Sequence, residues 1–368
     1  MLVQRVVSPV SPLESWTVLG DDDVPVAPIE RYLAYLTDIE RSPNTVKAYA
    51  HDLKDWFTFL AARRLDWREV RLEDVGEFVA WLRLPPTARD NDVAVLPSVG
   101  GHCTASTLNR KLSALSAFYT HAARHGVELG DLLTTWGPPG RRGGWKPFLH
   151  HISKSNPTPR RTIALKVPTK LPRVLSPVEV QTILDACEHL RDRFLFAVLY
   201  DSACRIGEVL GLRHEDIAAA ERELTVCPRV NDNGARSKSA SSRTIPVSAE
   251  LIRLYGDYLH GEYGGLDSDY VFVNLFGHSY GRPLAYPAVY DLVRRLRRRT
   301  GIDFDPHWWR HTAATRMLRD GVPVETVSKL LGHASITTTL TVYGHLTAED
   351  ARRVLEQAGW FTDRQVRW

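Results

Sequence analysis

The stretch LGHASITTTLTVYGHL (Leu331–Leu346) surrounds a run of threonines with two histidines and a tyrosine. Read by period alone, its middle alternates like a β-strand, and its β-branched threonines disfavour a helix. The two histidines also raise the question of a metal site. The local pattern does not indicate what chemistry requires Tyr343 at this position, so the interpretation depends on the rest of the sequence.

The length and composition of the chain limit the number of domains and the class of protein. A chain of 368 residues is too long for one ordinary compact domain and predicts two, and a hydrophobic share of 43% is enough to fill their cores. No apolar run approaches the ~20 residues of a membrane span, and no secretory pattern opens the chain. We therefore expect a soluble, cytoplasmic protein without membrane partners. Its four cysteines, none in a C-x-x-C pair, are expected to be reduced and structural.

The charge is concentrated in one segment. Nine lysines and arginines, and no acidic residue, lie between Arg141 and Arg173. All of this segment except Arg173 falls in a region dense in proline and glycine, residues 136–172, which we predict to be a basic linker. Two interpretations stay open for it: a solvated linker, or a strap that lies on a polyanion and releases its counterions.

The first half of the chain predicts an all-helical domain. Residues 1–26 show no sustained period and are expected to form a flexible tail. Over residues 27–135, two segments carry apolar residues at helical spacing. The first, SPNTVKAYAHDLKDWFTFLAAR, begins with Ser42 and Pro43 as helix-start signals. The second, TLNRKLSALSAFYTHAARHG, stops at Gly126.

The second half, residues 173–346, predicts several helices and a small antiparallel sheet. LSPVEVQTIL opens it with a capping box of Ser176 and Glu179 around Pro177. Helices are expected around residues 191–211, 249–263, 287–300, 306–320 and 323–331. Between the first two, Asn233-Gly234 lies between two β-rich segments, which is a hairpin signal. The fold class is therefore mainly α with a small antiparallel β-sheet.

Six polar positions in this half are unusual for their surroundings. They are Arg205 in ACRIGEVLGL, Lys238 in KSASSRTIPV, His307 and Arg310 in HWWRH, His333 in LGH, and Tyr343. Taken singly, each has an ordinary explanation, such as an ion-paired arginine or a buried phenol. His307 and His311 have the i, i+4 spacing of a zinc site, but no H-E-x-x-H motif and no third ligand accompany them, so no metal is expected.

Together, in this order and spacing, these residues resemble the catalytic domain of the tyrosine recombinase family, also called phage-type integrases. That family carries an Arg, a Lys on a β-hairpin, H-x-x-R, a His in LGH and, soon after, a nucleophilic Tyr. The first domain resembles the family's helical core-binding domain, which often opens with S-x-N-T as Ser42 to Thr45 do here. One departure is Ala203-Cys204, where the family often has Gly-Leu before the first arginine.

The resemblance implies a fold and a set of DNA contacts. The two domains would form a C-shaped clamp around a duplex, with the basic linker crossing its backbone. The 336–343 segment would be a short helix capped by Ser335, in which Ile336, Leu340 and Tyr343 share one face. The matched positions in the first domain imply DNA contacts at Asn44, Thr45, Lys47, Arg110 and Lys111, although a solvated helix face would explain the charged residues among them equally well.

The resemblance also implies a mechanism without a cofactor. Arg205 and Arg310 would bind the non-bridging phosphate oxygens, because a guanidinium donates bidentately and stays charged. His307 and His333 would add donors or move protons. Tyr343 would attack the phosphate and form a 3′-phosphotyrosine. Lys238 is the expected general acid, because an arginine such as the nearby Arg236 or Arg243 releases its proton poorly.

The predicted function is site-specific recombination of double-stranded DNA by a tetramer, through a four-way junction. Length and first domain are more similar to the integrase and transposase branch of bacterial mobile elements than to chromosome-dimer resolvases. The tail, residues 347–368, is expected to pack on a neighbouring protomer, and an accessory directionality factor is a further possible partner. Two alternatives remain: a type IB topoisomerase, which uses the same tyrosine chemistry, and a non-catalytic DNA-binding regulator of the same family.

Overall fold

The structure, a computed structural model, describes residues 1–7, 14–89, 101–129, 133–137, 158–167, 173–237, 241–343 and Glu356. The chain divides into two compact units, Met1–Thr169 and Lys170–Trp368. Within the described ranges, none of the helices combines the length and the apolar character needed to cross a membrane.

The first unit is built on four helices. These are α1 (Ala27–Asp38), α2 (Pro43–Arg63), α3 (Leu72–Arg83) and α4 (Ala105–Ala123). Two antiparallel strand pairs accompany them: β1 (Leu2–Val7) with β2 (Glu14–Leu19), and β3 (Thr134–Gly137) with β4 (Thr158–Arg161).

The core of this unit confirms the two predicted helical stripes. Trp56 on α2 and Tyr119 on α4 are buried, and the indole Nε1 donates to the Tyr119 hydroxyl over 3.2 Å. That hydroxyl in turn donates to the backbone carbonyl of Trp67 over 2.9 Å. Phe59 and Phe78 pack on the Trp56 ring at centroid distances of 5.6 and 4.9 Å. Aromatic burial of this kind dominates the energetics of a small helical core.

Two segments of this unit differ from the prediction. Within residues 1–26, predicted as a flexible tail, β1 and β2 form a hairpin, and Val18 is fully buried in the helical core. Part of the predicted linker is also packed: the Asn109 side chain makes two 2.9 Å hydrogen bonds with the backbone of Leu165. Pairing across a hairpin and long-range side-chain contacts leave no local periodic signal. Residues 138–157 and 168–172 of the linker lie outside the described ranges.

The second unit carries the remaining elements. Its helices are α5 (Pro177–Asp185), α6 (Leu190–Ser202), α7 (Ile206–Leu210), α8 (Ala249–Tyr258), α9 (Tyr286–Thr300), α10 (Pro306–Arg319), α11 (Val324–Leu331) and α12 (Ile336–Tyr343). Its antiparallel sheet has the order β5 (Ile217–Ala218), β6 (Glu223–Val226) and β7 (Arg243–Pro246). The predicted fold class, mainly helical with small antiparallel sheets, is confirmed.

The predicted hairpin is present, with a longer connection than a two-residue turn. Val226 pairs with Arg243, so the chain between β6 and β7 spans residues 227–242. Asn233 anchors this connection to the body of the domain, because its side-chain amide donates to the carbonyls of Leu210 and Leu284 over 2.9 and 2.8 Å. Asn233 thus fixes the connection in place, next to a turn in which the Gly234 amide donates to the Asn231 carbonyl over 3.0 Å.

The predicted capping box of the second unit is present, and a buried tryptophan positions a further helix. Ser176 and Glu179 form the capping box of α5. Trp309 is completely buried, and its ring stacks on Phe196 at 5.1 Å. This packing holds α10 against α6, which is how the helix that carries HWWRH is positioned.

A buried charge network joins α2 to α4 in the first unit. Asp52, 3% exposed, accepts hydrogen bonds from Arg110 and from the Lys111 ammonium, the latter over 3.0 Å. Lys111 also donates to Asp55 over 2.7 Å. Breaking one partner out of such a network leaves a buried charge without compensation.

We expect Asp52→Asn to lower the free energy of unfolding by about 2–3 kcal/mol, toward the low end of the cost of breaking a buried pair because Lys111 keeps Asp55. Urea unfolding of the full chain, followed by circular dichroism, measures this. Asp55→Asn is the matched control, with a smaller expected loss because Asp55 is more exposed than Asp52. Equal losses in the two variants would contradict the assignment of Asp52 as the central acceptor.

Candidate active site

The site is organised by the C-terminal end of α11. A helix leaves its last four carbonyls without partners inside the helix. Gly332, in the left-handed conformation at φ 62°, turns the chain so that its amide donates to Lys329 and the His333 amide donates to Ser328, over 2.9 and 3.1 Å. This Schellman arrangement satisfies two of the four carbonyls.

Arginine side chains satisfy the other two carbonyls. Arg243 Nε donates to the Leu330 carbonyl over 2.8 Å. The Leu331 carbonyl accepts from Arg310 Nη2 over 2.7 Å and from Arg205 Nη1 over 3.4 Å. Cations are favoured at this negative end of the helix dipole. Residues far apart in sequence, directly before α7, on β7 and on α10, therefore meet at one helix end.

Arg310 is the most deeply buried of these arginines, with 2% of its surface exposed. Its Nη1 donates to the carbonyl of Ala203 over 2.8 Å. Ala203 itself is held at φ 54°, where glycine is favoured, which gives a physical reason for the glycine that the family often has at this point. Burial, and then the charge of Arg205, lowers the pKa of Arg310 to about 10, so the guanidinium remains charged at neutral pH.

Glu208 is the counter-ion of the other two arginines. Its buried carboxylate accepts from Arg205 Nη1 over 3.0 Å and from Arg243 Nη2 over 2.7 Å. Burial alone would raise the pKa of this carboxyl, but the hydrogen bond and charge of Arg243, and then Arg205, hold the pKa below its ordinary value. The carboxylate therefore stays ionised and orients both guanidinium groups, the orienting role that its position one turn after Arg205 suggests.

His333 receives its orientation from Arg310. Arginine can only donate, so the 3.1 Å contact between Arg310 Nη2 and His333 Nε2 identifies Nε2 as the acceptor. The ring hydrogen then lies on Nδ1, which donates to the Thr339 hydroxyl over 2.8 Å. Burial, followed by the charges of Arg310 and Arg205, lowers the pKa of His333 to about 4, consistent with a neutral ring.

Tyr343 ends α12 and points into this cluster. Its side chain is 8% exposed, and its hydroxyl lies 2.8 Å from Nδ1 of His311. Its ring belongs to a small apolar cluster with Ala313 and Val327. Burial raises the pKa of the phenol to about 12, although Arg310 and Arg205 act in the opposite direction.

The helix expected for residues 336–343 is confirmed, but the predicted face is wrong. Thr339, at 0% exposure, shares the buried face with Tyr343. Ile336 and Leu340, expected on that face, are 36% and 51% exposed. A hydrogen bond explains the difference, because Thr339 bonds to His333 and that contact sets the rotation of the helix about its axis. The hydroxyl of Ser335 accepts from the Thr337 amide over 3.2 Å, as expected of a cap.

The other two predicted catalytic residues lie differently. His307 is exposed at the start of α10, and its ring packs edge-on against His311 at a centroid distance of 4.4 Å. Lys238 lies outside the described residues, in the connection between β6 and β7. Four of the six predicted residues, Arg205, Arg310, His333 and Tyr343, are thus brought together with Glu208, Arg243 and His311.

The predicted DNA-binding residues separate into two groups. Asn44, Thr45 and Lys47 lie in the first turn of α2, where the Lys47 ammonium sits 4.5 Å from the centroid of the Trp16 ring. Arg110 is half exposed, whereas Lys111 is buried between Asp52 and Asp55. A phosphate contact from Lys111 does not fit this position, because the ammonium is already surrounded by carboxylates.

Comparisons with known proteins agree with this arrangement. Residues 173–350 match the phage integrase family, and residues 29–126 match the phage integrase N-terminal SAM-like domain. Transposase A from transposon Tn554 of Staphylococcus aureus is 37% identical over 354 residues, which is 96% of each chain. This chain belongs to the phage integrase family.

Three further relatives share less sequence identity with this chain than the Tn554 transposase does. Tyrosine recombinase XerC from Pelobacter propionicus is 28% identical over 88% of this chain and 91% of its own length. The Tn1549 transposon integrase bound to a circular intermediate DNA superposes with a TM-score of 0.59 at 16% identity, over 90% of this chain and 99% of that chain. XerH recombinase bound to its difH substrate gives a TM-score of 0.56 at 18% identity, over 93% and 86%. These two structures share the fold.

The sequence pattern assigns two residues of the site no part in the reaction. It presents His311 only as half of a zinc site, and Arg243 only as an alternative to Lys238. The signal for His311 was its place directly after Arg310, on the same short helix as His307. Within the described part of the chain, no group of three or more His, Cys, Asp or Glu side chains could hold a metal ion.

The lowered pKa of Glu208 makes a pH-dependent prediction. A carboxyl with a lowered native pKa stabilises the fold above its unfolded pKa of about 4.3, and this contribution is lost as the pH falls through the native value. We expect Glu208→Gln to cost about 3 kcal/mol of unfolding free energy at neutral pH, because the arginines lose their buried counter-ion.

Urea unfolding of wild type and Glu208→Gln at neutral and acidic pH measures the difference. It should shrink on acidification, as the wild-type carboxyl takes up its proton. Glu250→Gln is the matched control, since Glu250 pairs with Arg253 in an exposed contact and its loss should matter little at either pH. A difference for Glu208→Gln that is the same at both pH values would contradict the ionised counter-ion.

Proposed function

We propose that this chain is a tyrosine-type site-specific DNA recombinase of the integrase or transposase kind. The observation that carries the proposal is the meeting of Arg205, Arg310, His333 and Tyr343 at the end of α11, with more positive than negative charge buried there. A phenol beside buried guanidinium groups suits attack on an anionic phosphodiester. The similarity along almost the whole chain to the Tn554 transposase supports the same activity.

The reaction follows from the positions of these groups. Arg205 and Arg310 bind the non-bridging oxygens of the scissile phosphate and neutralise the charge that grows in the pentavalent transition state. The Tyr343 oxygen attacks phosphorus, and the bond from phosphorus to the 5′ oxygen breaks. Lys238 gives the leaving oxygen its proton. The products are a 3′-phosphotyrosine and a free 5′ hydroxyl.

The covalent link retains the energy of the phosphodiester. A 5′ hydroxyl from a partner strand can therefore attack the phosphotyrosine and rejoin the DNA without a nucleotide cofactor. Repeated on two sites, this exchange passes through a four-way junction. We propose a tetramer on two double-stranded sites in the cytoplasm, with an accessory directionality factor as a further partner.

Similarity to DNA-bound relatives supports double-stranded DNA as the substrate. The Tn1549 integrase and XerH share the fold in complexes with DNA. On this chain, Asn44, Thr45 and Lys47 in the first turn of α2 and Arg110 on α4 are the proposed contacts of the first unit. Closure of the two units around one duplex as a C-shaped clamp stays a prediction of the family resemblance.

Tyr343→Phe is the decisive substitution. On a nicked suicide substrate carrying the recombination site, wild-type protein should accumulate a covalent adduct at a 3′ phosphate, also in the presence of EDTA, because side chains supply the positive charge. Tyr343→Phe should abolish the adduct, since it removes only the nucleophilic oxygen. Denaturing gel electrophoresis of labelled DNA measures it.

The matched control is Tyr255→Phe, because Tyr255 is another buried tyrosine of the second unit whose hydroxyl contacts a histidine. This variant should keep the adduct. No adduct from wild-type protein on DNA that it demonstrably binds would sink the proposal and leave the non-catalytic regulator. An adduct with relaxation of supercoils but no exchange between two sites would favour the topoisomerase.

The role of Lys238 as general acid is tested by changing the leaving group of the DNA substrate. We expect Lys238→Ala to slow cleavage of ordinary DNA by about 10²–10⁴-fold, the usual contribution of a general acid. A 5′-bridging phosphorothiolate should restore the rate, because a thiolate leaves without a proton. Single-turnover kinetics on the two substrates measure both effects. Absence of rescue would assign the lysine to a different role and turn attention to Arg236 and Arg243.

A further inference from the structure

His311 is the hydrogen-bond partner of the proposed nucleophile. It lies on α10 directly after Arg310, and its Nδ1 is 2.8 Å from the Tyr343 hydroxyl. The two rings are tilted by 55° with centroids 5.5 Å apart, so the contact is edge-on at the hydroxyl rather than a ring stack. The mechanism above gives the phenolic proton of Tyr343 no destination, and this imidazole is the basic group placed beside it.

In the free protein the pair starts as a protonated phenol beside a neutral imidazole, the protonation states that a donor and a base need before transfer. Burial raises the pKa of Tyr343 to about 12, so the hydroxyl keeps its proton at neutral pH. Burial, and then the charges of His307, Arg310 and His333, lowers the pKa of His311 to about 4, so its ring is neutral. A neutral ring with its hydrogen on Nε2 accepts the phenolic hydrogen at Nδ1.

We propose that His311 is the general base that accepts the phenolic proton of Tyr343 during DNA cleavage and returns it during rejoining. In cleavage, the bond from the Tyr343 oxygen to phosphorus forms as the phenolic proton moves to Nδ1, which gives an imidazolium. The bond to the 5′ oxygen breaks, and that oxygen takes its proton from the general acid. Rejoining reverses each transfer. The inference rests on the proposed function and assigns a step that the function leaves open.

The scissile phosphate would bring a negative charge close to His311. The groups that lower the proton affinity of His311 are cationic or neutral: His307 and Arg310 on its own helix, and His333 after α11. Tyr343 faces it from α12. A phosphate anion bound by Arg310 and Arg205 adds the opposite charge and raises the proton affinity of the imidazole. Bond formation to phosphorus at the same time acidifies the phenol, so the two proton affinities converge in the transition state.

The test compares His311→Asn and His311→Ala with wild type by single-turnover cleavage of the nicked substrate from about pH 6 to about pH 10. Asparagine keeps an acceptor near the Nδ1 position but cannot hold the proton. Both variants should cleave about 10²–10⁴-fold more slowly near neutral pH, the usual contribution of a general base. The deficit should narrow as the pH rises, because hydroxide replaces the base. Added imidazole should accelerate His311→Ala.

His214→Asn is the matched control. His214 Nδ1 lies 2.6 Å from the Tyr255 hydroxyl in the same unit, so it forms the same type of pair without contact to the proposed nucleophile. This variant should cleave like wild type at every pH. Wild-type adduct formation and its loss in Tyr343→Phe are measured in the same experiment, so failure of the recombinase function is seen separately.

One measurement needs no variant of His311. On the 5′-bridging phosphorothiolate substrate, the leaving group requires no proton, so a slower wild-type reaction in D₂O reports proton loss from Tyr343. The inference is overturned if His311→Asn cleaves at the wild-type rate, if its deficit is the same at every pH, or if the phosphorothiolate reaction shows no isotope effect. Lack of an adduct from wild type on bound DNA would overturn the function and the inference together.

Discussion

The site depends on the last turn of α11, where four backbone carbonyls have no partner within the helix. The backbone amides of Gly332 and His333 satisfy two of these carbonyls, and arginine side chains satisfy the other two. A side chain at position 332 would approach Arg243 to 2.8 Å, so the glycine serves both the left-handed turn and the close passage of the guanidinium. The end of α11 thus sets the position of His333 and the positions of the arginine guanidinium groups.

The arginines bring a surplus of positive charge into a buried place. Arg205 and Arg243 share one buried carboxylate, Glu208, whereas Arg310 donates to backbone carbonyls and to a histidine. Keeping a guanidinium buried without its own counter-ion costs free energy. Burial, and then this surplus of positive charge, lowers the pKa of His311 and His333 and keeps both rings neutral. A phosphate bound as proposed above would balance the surplus. Stability and readiness for an anion are opposed here, as they often are at functional sites.

Local sequence signals predict the helices and the order of the polar residues. The stripes that bury Trp56 and Tyr119 follow from period alone, and the capping box at Ser176 follows from three residues. What the sequence could not give are contacts between distant segments. The burial of Lys111 depends on two aspartates of another helix, and Val18 reaches the first core through strand pairing.

In the candidate site, too, the sequence indicates which residues take part but does not indicate the contacts between them. Order and spacing identified Arg205, Arg310, His333 and Tyr343, because the family resemblance supplies their roles. The face of α12 that the resemblance implies, with Leu340 beside Tyr343, is wrong because the hydrogen bond from His333 to Thr339 sets the rotation of the helix. Six of the eight residues of α12 are β-branched, a composition with poor intrinsic helicity at a length too short to be stable alone. Contacts at its buried face, from Thr339 to His333 and from Tyr343 to His311, therefore hold the helix. The position of Tyr343, the proposed nucleophile, thus depends on the two histidines beside this helix.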